Sequence, residues 1–161
     1  IMNELLNKEP VKRVEKFIKK FDSKLEILIL KTTARTAKDA ANSLKCELGA
    51  IVKSLVFKAN KDFLICLVSG DKRCSLNKLK KILEKKDVAM ANANEVKINT
   101  GFSIGGVAPV GHLKKLSILI DKSLNRFQYV YGAAGHPDCV FKITYDNLIK
   151  LSEGVEKELV E

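Results

Sequence analysis

Several stretches of this chain carry residue types suited to chemistry. The densest runs from 101 to 112, reads GFSIGGVAPVGH, and gathers Gly101, Gly105, Gly106 and Gly111 around Pro109. Glycines so closely spaced let a backbone turn through positive φ and let another backbone or a ligand come near. Such a loop can aim several peptide N–H groups at one point, where they hold an anion or a developing oxyanion without any catalytic side chain. The same glycines also suit a bulged hairpin that needs them only to relieve crowding. Lys53 interrupts the apolar run 51–57, and by strand alternation it shares a face with Ile51, Leu55 and Phe57. An ammonium in that position either snorkels to an edge that it protects from aggregation or stands at a cleft where it meets an anion. The tight loop 133–138, AAGHPD, lies between two strand-like runs; its Asp138 either orients a substrate amine or water, or caps the turn. Asp71-Lys72-Arg73 follows another strand and reads as a phosphate contact or as a charged turn.

Other chemistries find little support. His112 and His136 are the two histidines, and neither has a carboxylate or cysteine at ligand spacing, so no zinc site is expected. No G-x-S-x-G element occurs, and no Ser or Cys pairs convincingly with a His. Cys46, Cys66, Cys74 and Cys139 lack C-x-x-C spacing and read as reduced thiols with packing roles. Lys and Arg number 29 against 19 acidic residues, a formal charge of +10. That excess attracts a polyanion, nucleic acid before all others, unless the basic surface is inert. No long uncharged apolar span is present and the first ten residues do not resemble a signal peptide, so the expectation is a cytoplasmic protein without a membrane segment.

The elements that must position these residues follow from periodicity. At 161 residues the chain has the length of one domain. Val14, Phe17, Ile18 and Phe21 predict the apolar stripe of a basic helix. Residues 25–30 predict a strand. Thr36 predicts an N-cap with Asp39 three residues on, opening a helix with Ala37, Ala40, Ala41 and Leu44 on its packing stripe. Two runs, 50–58 and 63–68, predict a hairpin turning at Lys61-Asp62. Ser75 predicts the cap of a lysine-rich helix with Leu76, Leu79, Ile82 and Leu83 inward. Asn92 and Glu95 predict another capping box leading into the glycine loop. Strands are expected at 117–121, 127–131 and 139–143, and a helix at 145–151. The order predicts an α+β domain on a mixed, largely antiparallel, curved and barrel-like sheet with helices around it. Regular βαβ alternation is missing, which argues against a doubly wound nucleotide fold.

The runs TARTAKDAANSL, GAIVKSLVF, VSGDKR, GFSIGGVAP and AAGHPDCVFKI, in that order, resemble YbaK-like proteins, relatives of cysteinyl-tRNA(Pro) deacylase and of the editing insertion domain of bacterial prolyl-tRNA synthetases. The resemblance covers about 33–151. It implies a trans-editing hydrolase that cleaves the ester of a mischarged aminoacyl-tRNA, with Cys-tRNA(Pro) or a related small amino acid first among substrates. It implies that Lys53 helps hold the terminal adenosine of the tRNA acceptor end. Gly101, Gly105, Gly106 and Pro109 fall on the family's glycine loop, whose amides face the ester carbonyl. Asp138 falls on the family's acidic position, with His136 beside it, and Ser54 stands where relatives commonly carry Thr. The amino-acid pocket is expected near 30–36, Thr32, Thr33, Ala34 and Thr36 included, and near 133–136. The resemblance implies no metal or organic cofactor, one editing domain over 1–161 with an N-terminal helix at about 2–21 as an extension, and an aminoacyl-tRNA synthetase such as prolyl-tRNA synthetase as a partner. A noncatalytic tRNA-binding module and a hydrolase of small aminoacyl esters are the alternatives. The chemistry is coherent without a catalytic triad, because the ester is already activated and one well-aimed backbone donor is worth about 3 kcal/mol of barrier.

Overall fold

In the computed structural model, residues 2–31 and 36–161 are described. The element order is α1 (Met2–Leu6), α2 (Glu9–Phe21), β1 (Ile27–Ile29), α3 (Ala37–Leu44), a 3-10 turn (Leu48–Ala50), β2 (Val52–Ala59), β3 (Asp62–Ser69), α4 (Leu76–Leu83), β4 (Val88–Met90), α5 (Ala93–Thr100), β5 (Ser117–Asp121), a second 3-10 segment (Lys122–Arg126), β6 (Tyr129–Ala133), β7 (Cys139–Thr144), α6 (Tyr145–Ser152) and β8 (Val155–Lys157).

The β2–β3 hairpin forms in full register, from Val52 opposite Ser69 to Ala59 opposite Asp62. Asn60 makes the turn in the left-handed region at φ 56°, which an Asn side chain tolerates better than most. β3 is buried on both faces: Ile65 and Leu67 enter the main core with Phe102, Phe141 and Ile120, while Leu64, Cys66 and Val68 face a second cluster with Phe57 and Leu79. A strand apolar on both faces belongs in the middle of a sheet, and β3 lies at the centre of the order β4-β2-β3-β5-β8. β4 and β3 run antiparallel to β2, while β5 runs parallel to β3 and β8 parallel to β5.

A second sheet, β1-β7-β6, is antiparallel throughout. The two sheets meet at one parallel bridge, Ile51 to Tyr131. The fold is therefore mixed α+β as expected, but its strands form two sheets, and neither ladder closes into a barrel. β4 pairs with β2 only at 57–59. Among the described residues, the edge of β2 from Val52 to Leu55 consequently has no ladder partner, and the space between β2 and β6 opens there.

The capping boxes at Thr36–Asp39 and Asn92–Glu95 form as the sequence predicts, and Ser75 accepts from the Lys78 amide. Two helix faces differ from expectation. On α2 the buried stripe is Val11, Val14 and Ile18, while Phe17 and Phe21 are 44% and 38% exposed. With Val11, Val14 and Ile18 in the core, Arg13 is turned toward the glycine loop. On α4, Leu79 is fully buried but Leu76 is 40% exposed and lines a depression beside β2. β4 and β8, three residues each, were not expected. β6 begins at Tyr129, because residues 122–126 coil as a 3-10 segment. No described helix is long and apolar enough to cross a membrane.

Arg13 clamps α2 to the glycine loop. Its Nε donates to the Gly111 carbonyl at 2.7 Å and its Nη2 to the Gly101 carbonyl at 3.3 Å, while the guanidinium stacks 4.7 Å above the Phe102 ring. Charge-assisted hydrogen bonds and a partly buried cation–π contact each outweigh a surface ion pair. Arg13→Ala is accordingly expected to lower unfolding stability by about 2 kcal/mol. Glu9→Ala, which removes only the exposed partner of Arg13, should cost no more than about 0.5 kcal/mol. Urea titration of both variants checks the difference.

Candidate functional site

A cleft of about 540 Å³ opens where β2 and β6 diverge. Its walls come from the start of α3, the free edge of β2, the tip of the glycine loop, β6, and the loop joining β6 to β7. Of the residues singled out from sequence, Thr36, Lys53, Ser54, Gly105, His136 and Asp138 border it. They come from four separate segments of the chain. Apolar residues that sequence reasoning did not single out line the rest: Ile51, Leu55, Val107, Tyr131 and Val140, with Ile104, 61% exposed, at the mouth. Ala37 and Ala40, read as a packing stripe, also face the cleft, and Ala40 is buried as that stripe requires. Thr32, Thr33 and Ala34 lie outside the described residues.

Lys53 is half-buried, and its Nζ donates to the Lys72 carbonyl at 2.6 Å. That bond uses one of three ammonium protons and stations the cation at the boundary between this cleft and a neighbouring depression, since Lys53 borders both. Burial pulls its pKa below the usual lysine value, and the carboxylate of Asp71 partly opposes this. Ser54, the next residue, projects the other way. Its Oγ is buried and has no hydrogen-bond partner among the described residues. An unpaired buried hydroxyl is costly, on the order of 1–3 kcal/mol, and Ser54 is one of the residues that border the cleft.

The glycine loop divides its labour. Gly101 terminates α5 at φ 81°, its N–H donates to the Lys97 carbonyl, and it lies against Arg13 and Leu113, away from the cleft. Gly106 donates its N–H to Ser103 and accepts from the Gly135 amide at 3.0 Å. A Cβ on Gly106 would come within 3.0 Å of the Gly135–His136 backbone, so only glycine lets the two loops touch. Pro109 is buried and packs beneath Gly132 of β6. Gly101, Gly106 and Pro109 therefore shape the loop without bordering the cleft. The N–H groups of Gly105 and Val107 meet no acceptor among the described residues, and both residues line the cleft.

On the opposite wall, the Asp138 amide donates to His136 Nδ1 at 3.0 Å. With Nδ1 accepting, the neutral imidazole carries its proton on Nε2. The Asp138 carboxylate lies 4.0 Å from the same Nδ1, and its carbonyl holds the Leu30 amide at 2.8 Å. His112 is structural: its Nε2 bonds the Ala108 carbonyl at 2.6 Å, its ring meets Phe102 edge-on, and burial lowers its pKa. Thr36 spends its side chain on the cap of α3. Among the described residues, no three His, Cys, Asp or Glu side chains converge on a point.

Next to the cleft, Asp71 is held by Arg126 through two bonds of 2.8 and 3.1 Å, and the same guanidinium reaches Ser69 Oγ at 2.9 Å. Among the described residues, Lys72 and Arg73 add two further cations to this turn.

Comparison with known proteins shows the family. Residues 31–151 match the family described as the aminoacyl-tRNA editing domain, and the chain belongs to that family. It is similar to a crystal structure of a candidate trans-editing enzyme for prolyl tRNA synthetase, with a TM-score of 0.90 and 35% identity over 96% of this chain and 98% of that one. It is 26% identical to EbsC of Enterococcus faecalis, a candidate Cys-tRNA(Pro)/Cys-tRNA(Cys) deacylase, over 77% of this chain and 76% of that protein. It is 31% identical to a proline–tRNA ligase of Thermosipho africanus over 79% of this chain, and this match spans 23% of the ligase.

The Asp71–Arg126 pair makes a prediction about pH. Bonding to Arg126, aided by Ser69, pulls the Asp71 carboxyl down to about 2. A depressed folded-state pKa contributes stability that is present above the unfolded value, near 3.9, and is lost as pH falls through the folded one. Because the pair is about one-third exposed, solvent screening reduces its value to about 1 kcal/mol. Asp71→Asn should lower stability by that amount at pH 7, and most of the difference should vanish between about pH 5 and pH 2. Urea titrations at several pH values read it out.

Proposed function

We propose that this member of the aminoacyl-tRNA editing family is a trans-acting deacylase that hydrolyses the ester of a mischarged tRNA in the cytoplasm, with Cys-tRNA(Pro) as the leading substrate. The observation that carries the reading is the convergence of Lys53, Gly105, His136 and Asp138, from separate segments, on one cleft. In this reading the ester carbonyl oxygen accepts from the Gly105 N–H, and from that of Val107 as charge develops. Two remaining protons of the Lys53 ammonium hold the terminal nucleotide, and the Asp138 carboxylate takes the substrate's α-ammonium. Water adds to the carbonyl carbon and the bond to the ribose oxygen breaks. The proton lost by water passes, by way of the adjacent ribose hydroxyl, to the departing ribose oxygen. Nothing else is required of the protein, since the ester is activated and positioning with oxyanion stabilisation suffices.

Small side chains support the substrate choice. Ala37, Ala40 and Ala133 form part of the wall. The name of EbsC points to cysteine as well. Action in trans is supported by the span of the match to the trans-editing structure. Prolyl-tRNA synthetase, whose errors such an enzyme would correct, is the partner this reading names. The formal charge of +10 then serves to gather tRNA through its phosphates.

Deacylation of a panel of mischarged tRNAs tests the proposal. Cys-tRNA(Pro) should turn over fastest, and Lys53→Ala should lower kcat/KM by roughly 100-fold. Full activity in Lys53→Ala would remove the role assigned to that ammonium. No turnover of any mischarged tRNA would overturn the enzyme assignment.

A further inference from the structure

A second depression, of about 560 Å³, lies against the cleft and shares Lys53 and Leu55 with it. Its floor includes Leu76 and Met90, which are 40% and 56% exposed. Large apolar side chains so exposed in one concavity form an apolar surface open to a ligand. Its rim carries Lys53, Lys72 and Arg73. Among the described residues that line it, the one carboxylate, Asp71, is already paired with Arg126. An apolar floor beside clustered cations, with the nearby acid neutralised, matches a nucleotide: the base lies on the floor and its phosphate meets the rim.

Resting on the deacylase reading above, we infer that this depression holds the penultimate nucleotide of the tRNA, the one on the 5′ side of the aminoacylated adenosine. The volume of the cleft falls within the range that encloses one drug-sized ligand, and an aminoacyl nucleoside fills it. The rest of the RNA must leave across a boundary of the cleft. Among the described residues, the boundary at Lys53 is cationic and opens onto a further concavity. There the Lys53 ammonium, fixed by the Lys72 carbonyl, meets the phosphate linking the two nucleotides, and Lys72 and Arg73 meet the next.

The test compares two substrates, cysteinyl-tRNA(Pro) and cysteinyl-adenosine, which lacks the penultimate nucleotide. The variants are Arg73→Glu and the double variant Leu76→Ala/Met90→Ala, all at exposed positions, with urea titration confirming their folding. On the tRNA, each variant should raise KM on the order of tenfold, and for Arg73→Glu the slope of log(kcat/KM) against log salt should flatten by about one. On cysteinyl-adenosine, both variants should match the unaltered protein. Equal losses on both substrates, or no loss on either, would overturn the inference while leaving the deacylase reading intact. If the unaltered protein cleaves neither substrate, the deacylase reading itself fails. Anisotropy of a labelled CCA trinucleotide then decides the inference alone: binding about tenfold weaker in the variants supports it, and equal binding refutes it.

Discussion

Everything at the site depends on a strand edge left without a partner. β2 is paired along its whole length on the β3 side, yet on the other side it meets β6 at Ile51 and β4 at 57–59. Between those contacts the residues from Val52 to Leu55 face a gap instead of a ladder. An unpaired edge in a core would be a liability through its unsatisfied peptide groups. Here it is kept open as the wall of a cleft. Lys53 then borders both this cleft and the neighbouring depression, while Ser54 borders the cleft alone.

The second constraint holds the glycine loop at the correct height above that edge. Arg13 grips two of the loop's carbonyls from behind. Gly106 joins it to the Gly135–His136 turn. α2 contributes Val11, Val14 and Ile18 to the same core as β3 and β5, so the clamp is anchored in the most buried part of the molecule. A catalytic donor supplied by a backbone amide is only as well placed as the loop that carries it. In this loop the Gly101, Phe102 and Gly106 amides are bonded within the protein, while those of Gly105 and Val107, two residues that line the cleft, have no acceptor among the described residues.

Local signals in the sequence were read correctly where the structure is local. The capping boxes rest on a spacing of three residues, and the β2–β3 hairpin on adjacent apolar runs, although it turns at Asn60-Lys61, one residue before the expected Lys61-Asp62, because Ala59 pairs with Asp62. The α+β class followed from the order of those elements, and the grouping of Lys53, Gly105, His136 and Asp138 from the family resemblance. Long-range pairing was not legible. β4 and β8 are too short to carry a periodic signal, and nothing local tells that β2 and β6 part after a single bridge. Phe17 and Phe21 fit the helical period as well as Val11 does. The core takes Val11, Val14 and Ile18, which turns Arg13 toward a loop ninety residues away, more or less. Likewise four glycines in twelve residues announced a special loop, but which amides stay unpaired depends on acceptors such as the Lys97 and Ser103 carbonyls.

The most direct test of the account is a crystal structure of the protein bound to a 3′-amide analogue of cysteinyl-adenosine, which cannot be hydrolysed. The account predicts the analogue between β2 and β6, with its carbonyl oxygen about 3 Å from the Gly105 nitrogen and its α-ammonium beside Asp138. An analogue seated elsewhere, or one whose carbonyl oxygen faces solvent while the Gly105 amide stays unoccupied, would contradict it.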